Sequence, residues 1–319
     1  MSNLVIRAFS QEDYPAFLAL SNGIYRHQQQ SQLELEKNDD NYQGDYVLRR
    51  FSAYQEDKFV GAFEFRHLLG MFHPQKFHLS LMVGEIHRQQ GIGTKLYEAA
   101  LKELRSFNPI SLRVQVAEED SSSLNFTQNR DFSITKKDFL SYLELKTFEI
   151  TPFLPLIHKV EAQSIQLKSL ADLGDHEGIR RQYHHLWSQV RLDVPRSEPA
   201  SPISYEDFVR FVYSDMGYLS QGTWVAIQEG TWLGLSQFFL RDRDGDLDMG
   251  LTGVLASARN KGIASALKLK GIMTAKAIEA KRIYTDNDSR NQPMLSINDK
   301  LGFVRQPAWV SMTKVFHYS

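Results

Sequence analysis

The sequence contains no cysteine, and this absence excludes disulfide bonds, thiolate catalysis and cysteine-ligated metal sites. It also lacks an apolar run long enough to span a membrane. The formal net charge is only −1 and no long block of like charge occurs, so we expect neither nucleic-acid nor membrane binding. Residues 1–14 lack the apolar core of a signal peptide, and we expect a cytoplasmic protein.

The residues that are present have the composition of a globular protein, with 42% apolar and 24% charged residues among 319. This length is typical of two domains of roughly 150 residues each. Nothing in the pattern specifies an oligomeric state. The histidines at His67, His73 and His78, and the pair His184 and His185, have no metal-binding spacing such as His-Glu-x-x-His, so we expect no metal site.

A six-residue loop, RQQGIG at 88–93, follows an apolar strand-like run and precedes a segment with helical spacing of apolar residues. The first N–H groups of such a helix lack internal partners and carry partial positive charge, so they attract anions. Gly91 and Gly93 let the backbone turn and approach a ligand closely. Alone, the loop fits an ordinary tight turn as well as it fits a phosphate site.

A second copy of this loop, RNKGIA at 259–264, has the same context of a preceding strand and a following helix. Its first glycine lies 171 residues after the first glycine of the earlier copy. Other landmarks have nearly the same offset: Gly61 and Gly234, and Phe132 and Phe303. The sequence therefore predicts an internal duplication, with an N-terminal domain at 1–150, a linker at 151–164 and a C-terminal domain at 165–319.

Each half has the same predicted order of elements: an opening strand, helical material, a hairpin, the strand before the loop, the loop and its helix, another strand, a short helix and a last strand. Helices do not alternate strictly with strands, so this is not a βαβ dinucleotide fold. The expected class is α/β, mixed and α+β-like, with a mostly antiparallel sheet flanked by helices in each domain.

With these motifs, both halves resemble the GNAT superfamily of N-acyltransferases, the second more closely. The loop resembles that family's cradle for the pyrophosphate of acetyl-coenzyme A, and residues 285–303 resemble the segment that follows it. The tandem layout is similar to that of mycothiol synthases. The resemblance implies acetyl transfer from acetyl-coenzyme A to a primary amine of a small molecule or peptide, by direct attack in a ternary complex.

The resemblance also implies the residues that would hold acetyl-coenzyme A. In the second half these are Leu251, Thr252, Gly253, Val254, Arg259, Asn260, Lys261, Gly262, Ile263, Ala264, Ser265, Asn287, Asn291 and Met294. In the first half they are Val83, Arg88, Gln89, Gln90, Gly91, Ile92, Gly93 and Thr94. The N–H of Val254 would polarise the thioester carbonyl, although both valines also fit a plain strand core.

The strands before the two loops differ in a way that assigns roles to the halves. Counting back by twos from Val254 gives a small, polar stripe, Thr252, Gly250 and Asp248. The same count from Val83 gives an apolar stripe, Leu81, Leu79 and Phe77. We therefore expect catalysis in the second half, with Asp248 as general base, while the first half binds cofactor at most. A solvated carboxylate at a hairpin end is the alternative for Asp248.

The general acid is harder to assign. Where the family often has a tyrosine, this sequence has Asn298, which can hydrogen-bond the coenzyme sulfur but has no proton to give. Tyr284 lies on the preceding strand and fits a sheet-face aromatic equally well. The departing thiolate can instead take a proton from water. The rival hypothesis is a non-catalytic acetyl-coenzyme A binder that acts as a sensor or scaffold.

Overall fold

The computed structural model describes residues 3–26, 29–241 and 245–317. Contacts divide the chain into two compact units, one of residues up to Thr135 together with those from Val310, and one of Lys136–Trp309. Within the described ranges, no helix is long and apolar enough to cross a membrane, and no three His, Asp or Glu side chains are grouped as a metal site requires.

Among the described residues, five strands and four helices lie wholly in the first unit, and they follow the predicted order. The strands are β1 (Leu4–Ala8), β2 (Leu48–Gln55), β3 (Lys58–Arg66), β4 (Lys76–Val83) and β5 (Ser111–Ala117). The helices are α1 (Tyr14–Ile24), α2 (Gln32–Asp39), α3 (Ile92–Leu104) and α4 (Ser121–Gln128). Strands β1 to β4 pair antiparallel in sequence order, and β4 pairs with β5 in parallel. The predicted mixed sheet is therefore confirmed for this half.

The second repeat has the same order, with additional helices before its hairpin. Its strands are β7 (Gln166–Ser169), β8 (Trp224–Gln228), β9 (Thr231–Leu240), β10 (Leu247–Val254), β11 (Arg282–Asp288) and β12 (Val304–Val315), after β6 (Ser133–Glu144) closes the first repeat. Its helices are α5 (Leu154–Glu161), α6 (Leu170–Leu173), α7 (Glu177–Val190), α8 (Tyr205–Phe208), α9 (Ile263–Ala277) and α10 (Gln292–Lys300). Strands β7 to β10 pair antiparallel and β10 pairs with β11 in parallel.

The hairpin turns and glycines that recur in the two halves of the sequence lie at equivalent positions in the two repeats. The β2–β3 and β8–β9 hairpins both turn through two residues with positive φ, Glu56 and Asp57 in one and Glu229 and Gly230 in the other. Gly61 and Gly234 face the next strand so closely that an added Cβ would lie 2.6 Å from the Met82 carbonyl oxygen and 2.9 Å from the Gly253 carbonyl oxygen. Only glycine fits at these two positions.

The domain boundaries differ from the expected 1–150 and 165–319. The last strand of the first repeat, β6, pairs antiparallel with β11 of the second, and its Leu143 belongs to the core of the second unit. Conversely, Val310 and Met312 of β12 are buried in the core of the first unit. Each repeat therefore contributes its last strand, wholly or in part, to the unit built by the other.

The expected linker at 151–164 is also different in the structure. It forms a helical turn at Thr151–Phe153 and then α5, with Pro155 among the first residues of the helix, where a missing N–H costs nothing. Ile157 and Val160 of α5 are buried in the core that also holds α9. This segment is consequently part of the second unit.

Candidate functional site

The two Arg-x-x-Gly-Ile loops have the same backbone conformation. Gln89 and Asn260 have φ of 60° and 64°, and Gly91 and Gly262 have φ of 80° and 86°. Each glycine is the N-cap of its helix, α3 or α9. The left-handed turns present the first N–H groups of the helix outward, which is the geometry of an anion site. The loop and helix that sequence reasoning singled out are thus built alike in both repeats.

The loop arginines bridge back to the preceding strand. Arg88 Nε donates to the Val83 carbonyl at 3.4 Å, and Arg259 Nε donates to the Val254 carbonyl at 3.3 Å. Arg259 is also paired with Asp193, which follows α7. In both repeats the arginine thereby fixes the loop against the end of the strand.

Strand β10 contains a β-bulge that sequence reasoning missed. Its pairing with β9 shifts between Met249 and Thr252, so Gly250 and Leu251 both stand opposite Gln237. The Leu251 N–H donates to Gln237 Oε1 at 3.2 Å, and the Gln237 side chain is in turn hydrogen-bonded to Tyr183. One inserted residue leaves little mark on a sequence pattern, although the two glycines in DMGLTGV are the signal that could have suggested it.

Beyond the bulge, β10 separates from β11. The parallel pairing joins Leu247 to Ile283 and Asp248 to Tyr284, and within the described residues it goes no further. The Leu255 N–H donates to β9, and by alternation the N–H groups of Thr252 and Val254 point away from β9. We call the gap between β10 and β11 beyond these pairs the cleft. Two backbone N–H groups therefore face it.

The bulge corrects the expected stripe on β10. Val254 packs with the α9 side of the sheet, whereas Leu251 packs with the α7 side. Asp248 pairs with Phe239 of β9, another member of the α7-side cluster, so its side chain lies on that side. Asp248 and Gly250 thus share a face that Thr252 and Val254 do not, because the extra residue reverses the alternation.

Strand β4, which precedes the first loop, has no such bulge, and its residues on the α3 side are apolar. Strands β3 and β4 pair without a shift, and Phe77 and Leu79 are buried in the core as the apolar stripe predicted. On the opposite face, His78 lies between Arg66 and Arg113 by register. Burial and these two cations hold the pKa of His78 well below its usual value. This face of β4 therefore carries a buried histidine between two arginines, where the second repeat has carboxylates.

Asp248, the predicted base, is held in an ion pair. Arg241 contacts its carboxylate and also stacks over the Tyr284 ring at 4.1 Å. Asp286 lies two residues beyond Tyr284 on β11, past the last pair with β10, and its side chain is accessible. Desolvation by the surrounding protein, with the charges of Asp138 and Asp248, raises the pKa of Asp286. Strand alternation places this second carboxylate, which the sequence analysis missed, on the Asp248 side of the cleft.

Asn298, which the resemblance placed beside the coenzyme sulfur, is buried, with 1% of its surface exposed. Its Oδ1 accepts from Lys268 Nζ at 2.6 Å, and its Nδ2 donates to Asn287 Oδ1 at 2.6 Å. Direct contact of Asn298 with the coenzyme sulfur stays a prediction, and in this structure both polar groups of Asn298 have partners inside the unit.

Asn291 and Asp120 are structural counterparts at the starts of α10 and α4. Asn291 Oδ1 accepts from the Met294 N–H at 3.4 Å, and Asp120 Oδ1 accepts from the Ser123 N–H at 2.9 Å. Asp120 also lies 3.8 Å from Arg88. The first repeat thus places a carboxylate beside its loop arginine where the second has a neutral amide.

Side chains of the first repeat pack beside the start of α3, although Gly91 itself is open. Phe126 lies 3.4 Å from the position of a Cβ on Gly93, and Arg130 stacks on the Phe126 ring at 3.6 Å. Arg130 also donates to Thr94 Oγ1 at 2.9 Å. The Thr94 hydroxyl at the start of α3 therefore already has a partner within its own repeat.

Helix α5 braces the cradle of the second repeat, a contact that sequence reasoning missed because this segment was taken as a linker. Gln163, just after α5, donates through Nε2 to the Lys261 carbonyl at 3.1 Å. Lys159 and Val160 lie 3.9 and 3.8 Å from the position of a Cβ on Gly262, whereas Gly91 has nothing within 4 Å of that position. Lys159 thus adds a cation beside the second loop alone.

Comparisons with known proteins agree with this geometry. The model of the Acetyltransferase (GNAT) family matches twice, at residues 8–132 and 181–303, which together make up more than half of the chain. No curated protein matches the chain at a significant level.

Solved structures share the whole tandem fold at low sequence identity. A tandem GNAT protein from the clavulanic acid biosynthesis pathway aligns at TM-score 0.77 and 16% identity, over 99% of this chain and 100% of that one. A GCN5-related N-acetyltransferase from Sphaerobacter thermophilus aligns at TM-score 0.71 and 14% identity, over 98% and 95% of the two chains. The chain belongs to the GNAT acetyltransferase family and carries two copies of its domain.

Proposed function

We propose that the protein transfers an acetyl group from acetyl-coenzyme A to a primary amine of a small molecule or peptide, and that the second repeat carries the reaction. The single observation that supports this most is the bulge of β10 beside the cleft and the glycine cradle, since β4 of the first repeat pairs with β3 without a shift. The residues fit the cofactor, because an anion site, two free strand N–H groups and carboxylates follow one another along the cleft.

The cradle holds the diphosphate in this proposal. Backbone N–H groups from Gly262 to Ser265 and the charge of Arg259 bind the phosphate oxygens. Lys159 adds a second cation from α5. Asn291 and Met294, at the start of α10, lie beside the thioester arm. Bound there, acetyl-coenzyme A supplies an acetyl group activated as a thioester.

The strand groups orient and polarise the thioester. Val254 N–H, nearer the loop, binds the arm, and Thr252 N–H, nearer the bulge, stabilises the negative charge that develops on the carbonyl oxygen. This reassigns to Thr252 the role that the sequence suggested for Val254, since Thr252 is closer to the carboxylates along β10. Each such donor contributes roughly 2.7–4 kcal/mol to catalysis in well-studied cases.

The proton acceptor in this proposal is the carboxylate pair Asp248 and Asp286. A protonated amine cannot attack, so one carboxylate must take its proton before nitrogen bonds to the acetyl carbon. As the carbon–sulfur bond breaks, sulfur would keep the electron pair, and the second proton lost by the nitrogen would pass through water to the thiolate. Asp286 takes the proton in this proposal, because Asp248 is already ion-paired with Arg241.

The alternative is a non-catalytic acetyl-coenzyme A binder, which the lack of a general acid favours. Isothermal titration with acetyl-coenzyme A, followed by thiol-release assays over a panel of primary amines, tests the proposal. Binding with turnover of at least one amine supports the transferase. Binding without turnover of any amine supports the sensor, and absence of binding overturns both.

A further inference from the structure

A lysine is buried in the middle of α9, where the helix packs on the sheet. Lys268 has 1% of its surface exposed. Its Nζ donates to Asn298 Oδ1 at 2.6 Å, and within the described residues this is its single hydrogen-bond partner. Burying an ammonium with one neutral partner is costly, and desolvation lowers the pKa of Lys268 to about 7. Packing alone would be served better by leucine or methionine.

The lysine starts a hydrogen-bonded chain with a defined direction. An ammonium has donors and no acceptor, so below the pKa of Lys268 the group that faces it must be the carbonyl oxygen of Asn298. The NH2 group of Asn298 then points to Asn287, whose carbonyl oxygen accepts it at 2.6 Å. Asn287 is left with its own NH2 group directed outward. One charged residue therefore fixes the orientation of two amides that could otherwise flip.

The free end of this chain lies at the cleft. Asn287 is on β11, three residues beyond the last pair with β10, and is half-buried. By alternation its side chain is on the side of Ile283, which packs with α9. Within the described part of the chain, its Nδ2 makes no other hydrogen bond. A polar donor is thus held across the cleft from the free N–H groups of β10.

We infer that Lys268 is a positioning residue: through Asn298 it orients the Asn287 amide so that its N–H groups bind a hydrogen-bond acceptor on the thioester arm in the cleft. This rests on the proposed binding of acetyl-coenzyme A to the second repeat. Lys268 itself does not touch the ligand. It acts by excluding the flipped state of Asn287, in which a carbonyl oxygen would face the arm and repel its acceptor atoms.

The test is a double-mutant cycle on acetyl-coenzyme A binding, measured by titration calorimetry at about pH 6, where Lys268 is charged. Lys268→Met should weaken binding about 3- to 15-fold, the range for one net hydrogen bond. Asn287→Ala should cost about the same, and Lys268→Met in that background should change the affinity by less than about twofold. Lys270→Met, on the same helix but stacked on Trp224, is the matched control and should bind like wild type.

Asn298→Asp tests the same inference by removing the hydrogen bond from Asn298 to Asn287. An aspartate still accepts from Lys268 but cannot donate to Asn287, so its affinity for acetyl-coenzyme A should fall as it does in Lys268→Met. This comparison remains available if Lys268→Met folds poorly. Thermal unfolding of each variant is measured alongside. Additive losses in the cycle, or full affinity in both Lys268→Met and Asn298→Asp, would overturn the inference. Failure of the wild type to bind would instead overturn the proposed function, and the inference with it.

Discussion

At the scale of single residues, two carboxylates compete for the role of base. Asp248 is ion-paired with Arg241, whereas Asp286 lies beyond the last β10–β11 pair and its pKa is raised. Asp286→Asn keeps the size and removes the basicity, so kcat/KM should fall by roughly 10²- to 10⁴-fold, with partial recovery at high pH. Asp248→Asn should cost less than about tenfold. A pH–rate profile with an identified amine measures both, and the reverse order would restore Asp248 as the base.

Lys268 gives a prediction about stability and pH. Its pKa is lowered to about 7 in the folded protein, so between pH 7 and the unfolded value near 10.5 the unfolded chain binds more protons. The contribution of Lys268 to stability should therefore rise with pH across this window, by about 1 kcal/mol per pH unit. Urea unfolding of wild type and Lys268→Met at pH 7, 8 and 9 measures it. A constant difference between the two proteins would show that Lys268 does not titrate there.

At the scale of elements, α5 supplies Lys159 to one cradle and not to the other. Lys159→Ala should weaken acetyl-coenzyme A binding about 2- to 10-fold, as expected for one exposed cation near a phosphate, and the loss should shrink at high salt. Lys168→Ala, on β7 in the same unit, is the matched control. Calorimetry at low and high ionic strength measures both variants, and an equal effect of the two lysines would remove α5 from the site.

The elements also show how far the sequence could be read. The Arg-x-x-Gly-Ile loops were predictable because Gly91 and Gly262 must take left-handed backbone angles at a strand-to-helix turn. The bulge was not, since a single inserted residue reverses the faces of β10 without changing its composition. The partner of Asn298 was not predictable, because Lys268 has the sequence context of a surface lysine and nothing local indicates that it is buried.

At the scale of the whole molecule, the two repeats are not separable at residue 150. The second unit includes β6 and α5, whose Leu143 and Val160 are in its core. A fragment of residues 165–319 should therefore fail to unfold cooperatively, whereas residues 136–309 should retain a cooperative transition. Circular dichroism with thermal melting compares them. A fragment of residues 165–319 that unfolds cooperatively would contradict the claim that the second unit needs β6 and α5.

Long-range pairing of this kind also explains why the sequence predicted the number of domains but not their limits. The hydrophobic alternation in β6 and β12 predicts a strand in each case, but it does not specify which sheet receives it. The duplication itself was visible, because equivalent turns, glycines and buried phenylalanines such as Phe132 and Phe303 recur at a nearly constant offset.

The most direct test of the central claim compares one substitution at the two equivalent glycines. Gly262 and Gly91 have φ of 86° and 80°, so aspartate strains both loops equally and adds the same charge. We predict that Gly262→Asp abolishes acetyl-coenzyme A binding in calorimetry and amine turnover, while Gly91→Asp folds, binds and turns over nearly as wild type does. A folded Gly91→Asp protein without activity, or a Gly262→Asp protein with wild-type affinity, would contradict the assignment of the site to the second repeat.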